Sequence, residues 1–409
     1  MSSSDPVVCI VGTSPVPLWG LDGSERLRRQ FAALGITQTI SETDTAAPGR
    51  PVVLLRADYL FDERTLRALL DHPGNVVLAI GPPGGSTAVA AHVAAGLAAL
   101  ACDVLSGKAA PQAIPDVTVG TEETLSGSYV GKLLKAGSPV VLPIRADRAE
   151  SLERHLFSSS YKAVTDLVTK WVWPTPARWA TRLCTRLGIS PNAVTTASLV
   201  LTIVVTVLFA RGRFAEGLLL GWIMTFLDTV DGKLARVTVT STRFGHFFDH
   251  AIDLVHPPLW YLAWSFGVVG DSAQVWTLLS ILVAIGGGYV VGRLIEGAFY
   301  PGLADFSLFI WRPFDSYFRL VTARRNPNLL LLSGFALAGF PRAGLVAVAW
   351  WTVLSTACLA IRLAQAGYVR LRRGQLQPWI RDAAEDPDHA PLYARPFISD
   401  DAAVRRLMR

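Results

Sequence analysis

Hydrophobic and polar positions follow two different rhythms along this chain. Up to about residue 150, apolar runs of strand length (Val7–Gly12, Val52–Arg56, Val76–Ile80) are separated by stretches with helical periodicity (Ser24–Leu34, Glu63–Leu70). Strands alternating with helices predict an α/β sandwich. From Asn192 to about Gln365 the rhythm changes to long apolar runs joined by short charged connections, with the break near Ser190-Pro191. A helix needs roughly 20 apolar residues to cross a bilayer. Six spans can be drawn, at about 193–211, 215–235, 245–268, 274–297, 328–341 and 343–365, the fifth short and ending at Gly339-Phe340-Pro341.

Between the two parts, residues 161–190 mix Trp171, Trp173 and Trp179 with Lys170, Arg178, Arg182 and Arg186. That composition suits helices lying along a membrane surface, and also an ordinary amphipathic linker; the two differ in what the apolar face touches. The expected order is an α/β domain at 1–160, an interfacial segment or linker at 161–190, an all-α six-helix membrane domain at 191–366 and a tail at 367–409.

Composition agrees: 51% of the 409 residues are hydrophobic, too many for a purely soluble protein. The net charge of +6 sits largely beside the apolar runs, where topology and anionic headgroups explain it better than nucleic acid does. Arginine outnumbers lysine 32 to 6, so arginine richness alone says little about binding. With six spans both ends share one side. Lys233, Arg236 and Arg243, then Arg312, Arg319, Arg324 and Arg325, then Arg370, Arg372 and Arg373 fall on that side, against Arg211, Arg213 and Arg342 opposite. The positive-inside rule makes it cytoplasmic. The opening residues Met1 to Pro6 lack a basic signal-peptide start, which also places the first domain in the cytoplasm and the chain in the inner (cytoplasmic) membrane, multi-pass. Cys9, Cys102, Cys184 and Cys358 have no metal-ligand or disulfide spacing.

The chemistry concentrates in the second and third spans, which read Asp228-x2-Asp231-Gly232-x2-Ala235-Arg236 and, eight residues later, Gly245-x3-Asp249-x3-Asp253. On helices, Asp228, Asp231 and Ala235 form one stripe and Gly245, Asp249 and Asp253 another. The short connection makes the helices antiparallel neighbours with acidic stripes facing. Four carboxylates left ionised and unpaired at a membrane boundary would cost several kcal/mol each, so cations are required. An oxygen-only donor set suits hard ions, Mg²⁺ or Mn²⁺, with two ions expected. Gly232, Ala235 and Gly245 let a base and ribose approach the backbone, and Arg236 adds fixed charge near phosphates.

All eight fixed positions resemble the signature of the CDP-alcohol phosphatidyltransferases, D-x2-D-G-x2-A-R-x8-G-x3-D-x3-D. Ordinary residue frequencies would produce it in a chain of this length with a probability of roughly 10⁻⁷. The resemblance covers about 190–366. It implies two divalent ions held by Asp228, Asp231, Asp249 and Asp253, with CDP against Asp228, Gly232, Ala235, Arg236 and Gly245, and Asp253 as the base. Asn192 and Thr195, beside Pro191, resemble the family's entry to its first span and are expected in the nucleotide pocket. The implied reaction moves a substituted phosphate from a CDP-alcohol donor to an acceptor alcohol (an inositol phosphate, a glycerol phosphate or a lipid), with release of CMP, among membrane lipids and as a homodimer. A catalytically silent scaffold and an intramembrane-acid cation transporter are the alternatives, and the intact Gly/Ala/Arg spacing argues against both.

Acceptor identity is expected in the later spans and their connection, with Arg293, Arg319, Arg324, Arg325 and Arg362 as candidate phosphate clamps. Topogenic charge, or a structural ion pair for Arg293 with Glu296, explains the same residues. The first domain resembles, more faintly, the sugar-phosphate nucleotidyltransferases through Gly20-Leu-Asp-Gly23 and Leu55-Arg-Ala-Asp58. The layout is similar to archaeal fusions of inositol-phosphate cytidylyltransferase with di-inositol-phosphate-phosphate synthase. Val11-Gly12-Thr-Ser-Pro-Val-Pro lacks the Gly-rich, Arg-containing loop and the lysine that would hold CTP, so a degenerate domain with Asp58 as a relic is expected.

Overall fold

The computed structural model describes residues 6–42, 49–72, 74–81, 86–126, 141–241, 243–269, 275–381 and 389–398, without the side chains of 123, 243, 244, 246–255, 275 and 276. In the first part, β1 (Val7–Val11), α1 (Gly23–Ala33), β2 (Thr39–Ile40), β3 (Val52–Arg56), β4 (Tyr59–Phe61) and α2 (Glu63–Asp71) precede β5 (Val76–Ile80) and β6 (Thr87–Val93). Next come α3 (Ala98–Leu105), β7 (Thr118–Gly120), α4 (Glu122–Ser126), β8 (Val141–Pro143) and α5 (Ala149–Ser159). The main sheet runs β2-β1-β3-β6-β5-β7, with β6 antiparallel to both neighbours and the other pairs parallel; β4 and β8 form a small antiparallel pair.

Strand alternation divides the sheet's two faces. Val7, Cys9 and Val11 pack with Leu54, Ala101 and Val104 on the α3 side, whereas Val8, Val53 and Leu55 pack with Leu27, Phe31, Leu66 and Leu69 on the side of α1 and α2. Asp22 and Asp62 start α1 and α2 by accepting backbone N–H bonds at 2.7 and 2.8 Å. The expected strands at Val7, Val52 and Val76 and both expected helices are present. The strand β6 was not expected, because its run Thr-Ala-Val-Ala-Ala-His-Val is alanine-rich and alanine is depleted in strands. It is held by partners on both edges, so sheet context outweighs propensity.

The rest of the chain is helical: α6 (Pro174–Arg186), α7 (Pro191–Ala210), α8 (Phe214–Val237), α9 (Arg243–Val268), α10 (Val275–Gly297), α11 (Pro313–Val321), α12 (Arg325–Leu337) and α13 (Pro341–Arg373). Among the described residues, three helical stretches are long and apolar enough to cross a membrane: Pro191–Ala210, Thr277–Leu303 and Pro341–Arg373. The short fifth run becomes α12 with 13 residues, about 20 Å at 1.5 Å per residue. Pro257 and Pro258 lie inside α9.

Two glycines illustrate how closely the helices approach. A Cβ on Gly267 would lie 2.1 Å from the Phe209 carbonyl oxygen, and one on Gly288 would lie 2.7 Å from Thr352 Cγ2. Phe209 also meets the Trp260 and Trp264 rings edge-on, which packs α7 against α9. The tail after α13 folds back. Ile380 and Phe397 are fully buried with Phe299, Phe309 and Trp311, and the Trp379 indole donates to Ser316 Oγ at 3.0 Å. Trp171, Trp179, Leu183 and Leu187 remain exposed along 171–187.

Candidate functional site

The motif's first half occupies the last three turns of α8. Asp231 is buried, and its Oδ2 accepts from the Thr195 hydroxyl of α7 at 2.7 Å. Thr195 is placed by α7's own start, where Ser190 Oγ caps Ala193 N–H at 3.2 Å and Pro191 occupies the first turn. Asn192, on the same first turn, is exposed. Asp228, one turn before Asp231, accepts from the Arg325 guanidinium at the start of α12. Arg325, expected on the acceptor side, is therefore brought onto the first aspartate, where it supplies the cationic partner that a shielded carboxylate needs.

A Cβ on Gly232 would meet nothing within 4 Å, so the helix backbone there borders open space. Ala235 is half-buried on the same turn, and Arg236 is exposed and donates to the Ser160 carbonyl at 2.9 Å. Lys233, read from the sequence only as topogenic charge, is buried: it donates to the same carbonyl at 2.9 Å and lies 3.4 Å from the Tyr161 ring centre. Burial pushes the Tyr161 phenol well up, with Arg236 pulling the other way. The second half, Gly245, Asp249 and Asp253, lies on α9; the side chains of Asp249 and Asp253 fall outside the described residues. Among the described residues no group of three or more His, Cys, Asp or Glu converges. What is described fits a hard divalent ion by donor type: two carboxylates one turn apart with a hydroxyl beside them.

The acceptor candidates fall into two groups. Arg293 and Arg324 both face Glu296, Arg293 at 3.6 Å and Arg324 more closely, and Arg319 lies beside them with its guanidinium over the Phe309 ring at 5.3 Å. Among the described residues, the Nε and Nη1 atoms of Arg319 are shut away from solvent with no hydrogen-bond partner. Burial, reinforced by Arg324 and opposed by Asp166 and Glu296, pushes Arg319 down to about 9. Arg362 is elsewhere: it donates to both oxygens of Asp315 at 2.6 and 2.8 Å and lies over the Trp311 ring at 4.4 Å. Asp315 is fully buried and also accepts the Arg312 N–H at 3.0 Å, so this pair fixes α11 to α13.

Asp166 carried no sequence signal, because its segment is dominated by tryptophan and arginine. It is buried, accepts from Asn326 Nδ2 at 3.0 Å and Thr169 Oγ1 at 2.8 Å, and ties the linker to α12. In the first domain Asp58, in the turn after β3, is gripped by Arg56 at the end of that strand, at 2.9 and 2.6 Å.

Residues 188–294 match the model of the CDP-alcohol phosphatidyltransferase family. The chain carries a CDP-alcohol phosphatidyltransferase domain. Phosphatidylinositol phosphate synthase of Mycobacterium marinum is 30% identical to the chain over 115 residues, 26% of this chain and 48% of that protein. Cholinephosphotransferase 1 of Danio rerio is 28% identical over 124 residues, 28% of this chain and 31% of that protein. Archaetidylinositol phosphate synthase of Pyrococcus horikoshii is 37% identical over 68 residues, 16% of this chain and 36% of that protein. The chain thus spans about half the length of these relatives or less. The crystal structure of Mycobacterium tuberculosis phosphatidylinositol phosphate synthase with CDP-DAG bound superposes with a TM-score of 0.32 at 22% identity, over 46% of this chain and 90% of that one, too loosely to support a comparison of sites. The transferase domain's match ends within α10, so α11 to α13 and the α/β part lie outside it.

Proposed function

We propose that the chain transfers a substituted phosphate from a CDP-alcohol to an acceptor hydroxyl, releasing CMP. The observation that carries this is the complete eight-position motif on α8 and α9, inside the matched family segment. In this reading Asp228, Asp231, Asp249 and Asp253 hold two divalent ions, Mg²⁺ or Mn²⁺, which supply positive charge against the donor's pyrophosphate. Gly232, Ala235 and Gly245 leave room for the nucleotide, with Arg236, Asn192 and Thr195 around it. The acceptor oxygen attacks the phosphorus that bears the alcohol. A new P–O bond forms while the bond from that phosphorus to the CMP oxygen breaks, CMP leaves with the electron pair, and the acceptor proton passes to Asp253.

The acceptor in this reading carries a phosphate of its own, as an inositol or glycerol phosphate does. The unsatisfied donors of Arg319, next to Arg293 and Arg324, favour it over a neutral lipid hydroxyl. This reading has six spans, with α8, α9 and α12 completing the three apolar helices, and the site at the cytoplasmic face of the inner membrane. Both termini lie on that side, and the working unit is a homodimer. The α/β domain is a degenerate nucleotidyltransferase-like unit without cytidylyl transfer, Asp58 being engaged by Arg56.

The test is CMP release by the purified full chain, with a panel of CDP-alcohols and acceptors, Mg²⁺ or Mn²⁺, and product masses. Metal-dependent CMP release that Asp228→Asn abolishes is the expected result. No release with any donor, or release independent of Asp228, overturns the proposal.

A further inference from the structure

The turn that joins the two halves of the motif is under strain. Val239 has φ of +50°, a conformation that a β-branched residue rarely adopts. The turn also ends a helix, whose last carbonyls have no partner inside it. Two of these are filled from the first domain. Arg26 of α1 is buried, and its Nη2 lies 2.9 Å from both the Val237 carbonyl and the Leu18 carbonyl; Arg29, one turn on, donates to the Thr238 carbonyl at 3.0 Å. The same face of α8 is packed from the first domain as well. Trp19 and Phe157 share one apolar core with Val194 of α7 and with Val230, Leu234 and Val237 of α8. Trp19 is fixed in turn by Glu153, which takes its backbone N–H and is held by Arg182 at 2.8 Å.

We propose that the α/β domain is a positioning element of the transferase site, with Arg26 and Arg29 clamping the turn that sets α8 against α9. Cations at a helix C-terminus also complement its dipole, which makes arginine the fitting residue type at this end. The clamp acts on α8, which carries Asp228 and Asp231, and through the turn on the start of α9, which carries Asp249 and Asp253. It rests on the proposed transfer reaction only for its effect on turnover.

The experiment uses the full chain with Arg26→Gln, Arg26→Gln/Arg29→Gln and Arg26→Lys, and two readouts. Amide hydrogen exchange at 237–240 should accelerate in both glutamine variants by about tenfold or more, the factor set by one lost charge-assisted hydrogen bond. The Mg²⁺ concentration for half-maximal CMP release should rise by a similar factor, with excess Mg²⁺ recovering most of the turnover and Arg26→Lys falling between wild type and Arg26→Gln. A merely structural role would lower turnover at every Mg²⁺ concentration alike, and that result overturns the positioning role. Unchanged exchange at 237–240 overturns the clamp whether or not CMP is released. A wild-type chain that releases no CMP sinks the proposed reaction, while the exchange data still decide the clamp.

Discussion

Asp58 and Asp228 are each gripped by an arginine, and the origins of the two arginines separate the two regions. Arg56 ends β3 and Asp58 lies two residues on, in the turn that follows, so that pair is a local consequence of the turn, with both side chains about 30% exposed. Arg325 comes from a helix 97 residues further on, and its contact with Asp228 exists only because α8 and α12 meet. Among the described residues no side chain other than Arg56 bonds to Asp58. Around Asp228 a second carboxylate, a threonine from α7 and a helix face open to a ligand converge. A carboxylate becomes a functional site when distant elements are arranged around it, and by that criterion the helical part is where we propose the site, and Asp58 of the α/β domain is proposed as a remnant.

The widest gap between the two regions should be seen on neutralising the acids. Asp228→Asn should abolish metal-dependent binding of a CDP-alcohol, measured by calorimetric titration. Asp253→Asn keeps the side chain's shape and removes its basicity, so it should still bind the donor but release CMP at least about a hundredfold more slowly, the lower end of general-base effects. Near-normal turnover of Asp253→Asn would assign the base to another group.

A smaller effect sharpens the acceptor side. Arg319→Met removes donors that no group among the described residues satisfies, so KM for a phosphate-bearing acceptor should rise about tenfold to a hundredfold, the range for a charge-assisted contact, with KM for the CDP-alcohol little changed. Equal loss toward neutral and phosphorylated acceptors would remove Arg319 from phosphate recognition. Arg362→Met should behave differently. It strands Asp315, which is fully buried, and should cost about 3–5 kcal/mol of stability. Thermal unfolding in detergent checks this.

Much of this division could be read from residue order. The α/β rhythm at Val7, Val52 and Val76 has the period of buried strands, and the motif's spacing is one turn and two turns of a helix, so both survive translation into structure. What could not be read depends on distance along the chain. Nothing near Arg325 indicates that it faces Asp228, and nothing near Asp166 indicates Asn326, 160 residues away. Arg362 carried the same sequence signal as Arg319, yet among the described residues one is fully paired and the other has unpaired donors; the buried Asp315, on Arg319's own helix α11, pairs with Arg362 instead. Lys233 looked like a topogenic charge because its partners, the Ser160 carbonyl and the Tyr161 ring, lie at the junction of the α/β domain and the linker.

Asp166 gives a pH test between the two extremes. Burial pushes its carboxyl up, but Arg319 together with the bonds from Thr169 and Asn326 outweighs that and holds it below its ordinary range. A group depressed in the folded state stabilises above its unfolded pKa of about 4 and loses that contribution as pH falls through the folded value. The melting temperature of the wild-type chain should therefore fall faster than that of Asp166→Asn below about pH 4, and the two should converge. A constant difference between them at all pH values would show that the charge contributes nothing.

The smallest effect belongs to Asp58. Its pair with Arg56 is short but about 30% exposed on both sides, and such pairs are worth roughly 0–1 kcal/mol. The hydrogen bond to Asp58 is also the main reason Arg56 is held above its ordinary value. Asp58→Asn should therefore leave CMP release and its metal dependence unchanged and move the melting temperature by only a few degrees. Asp58→Asn and Asp228→Asn replace the same functional group in the same way. If the first lowered CMP release even tenfold, the carboxylate of the α/β domain would be part of the site, and the separation of remnant from active centre would fail.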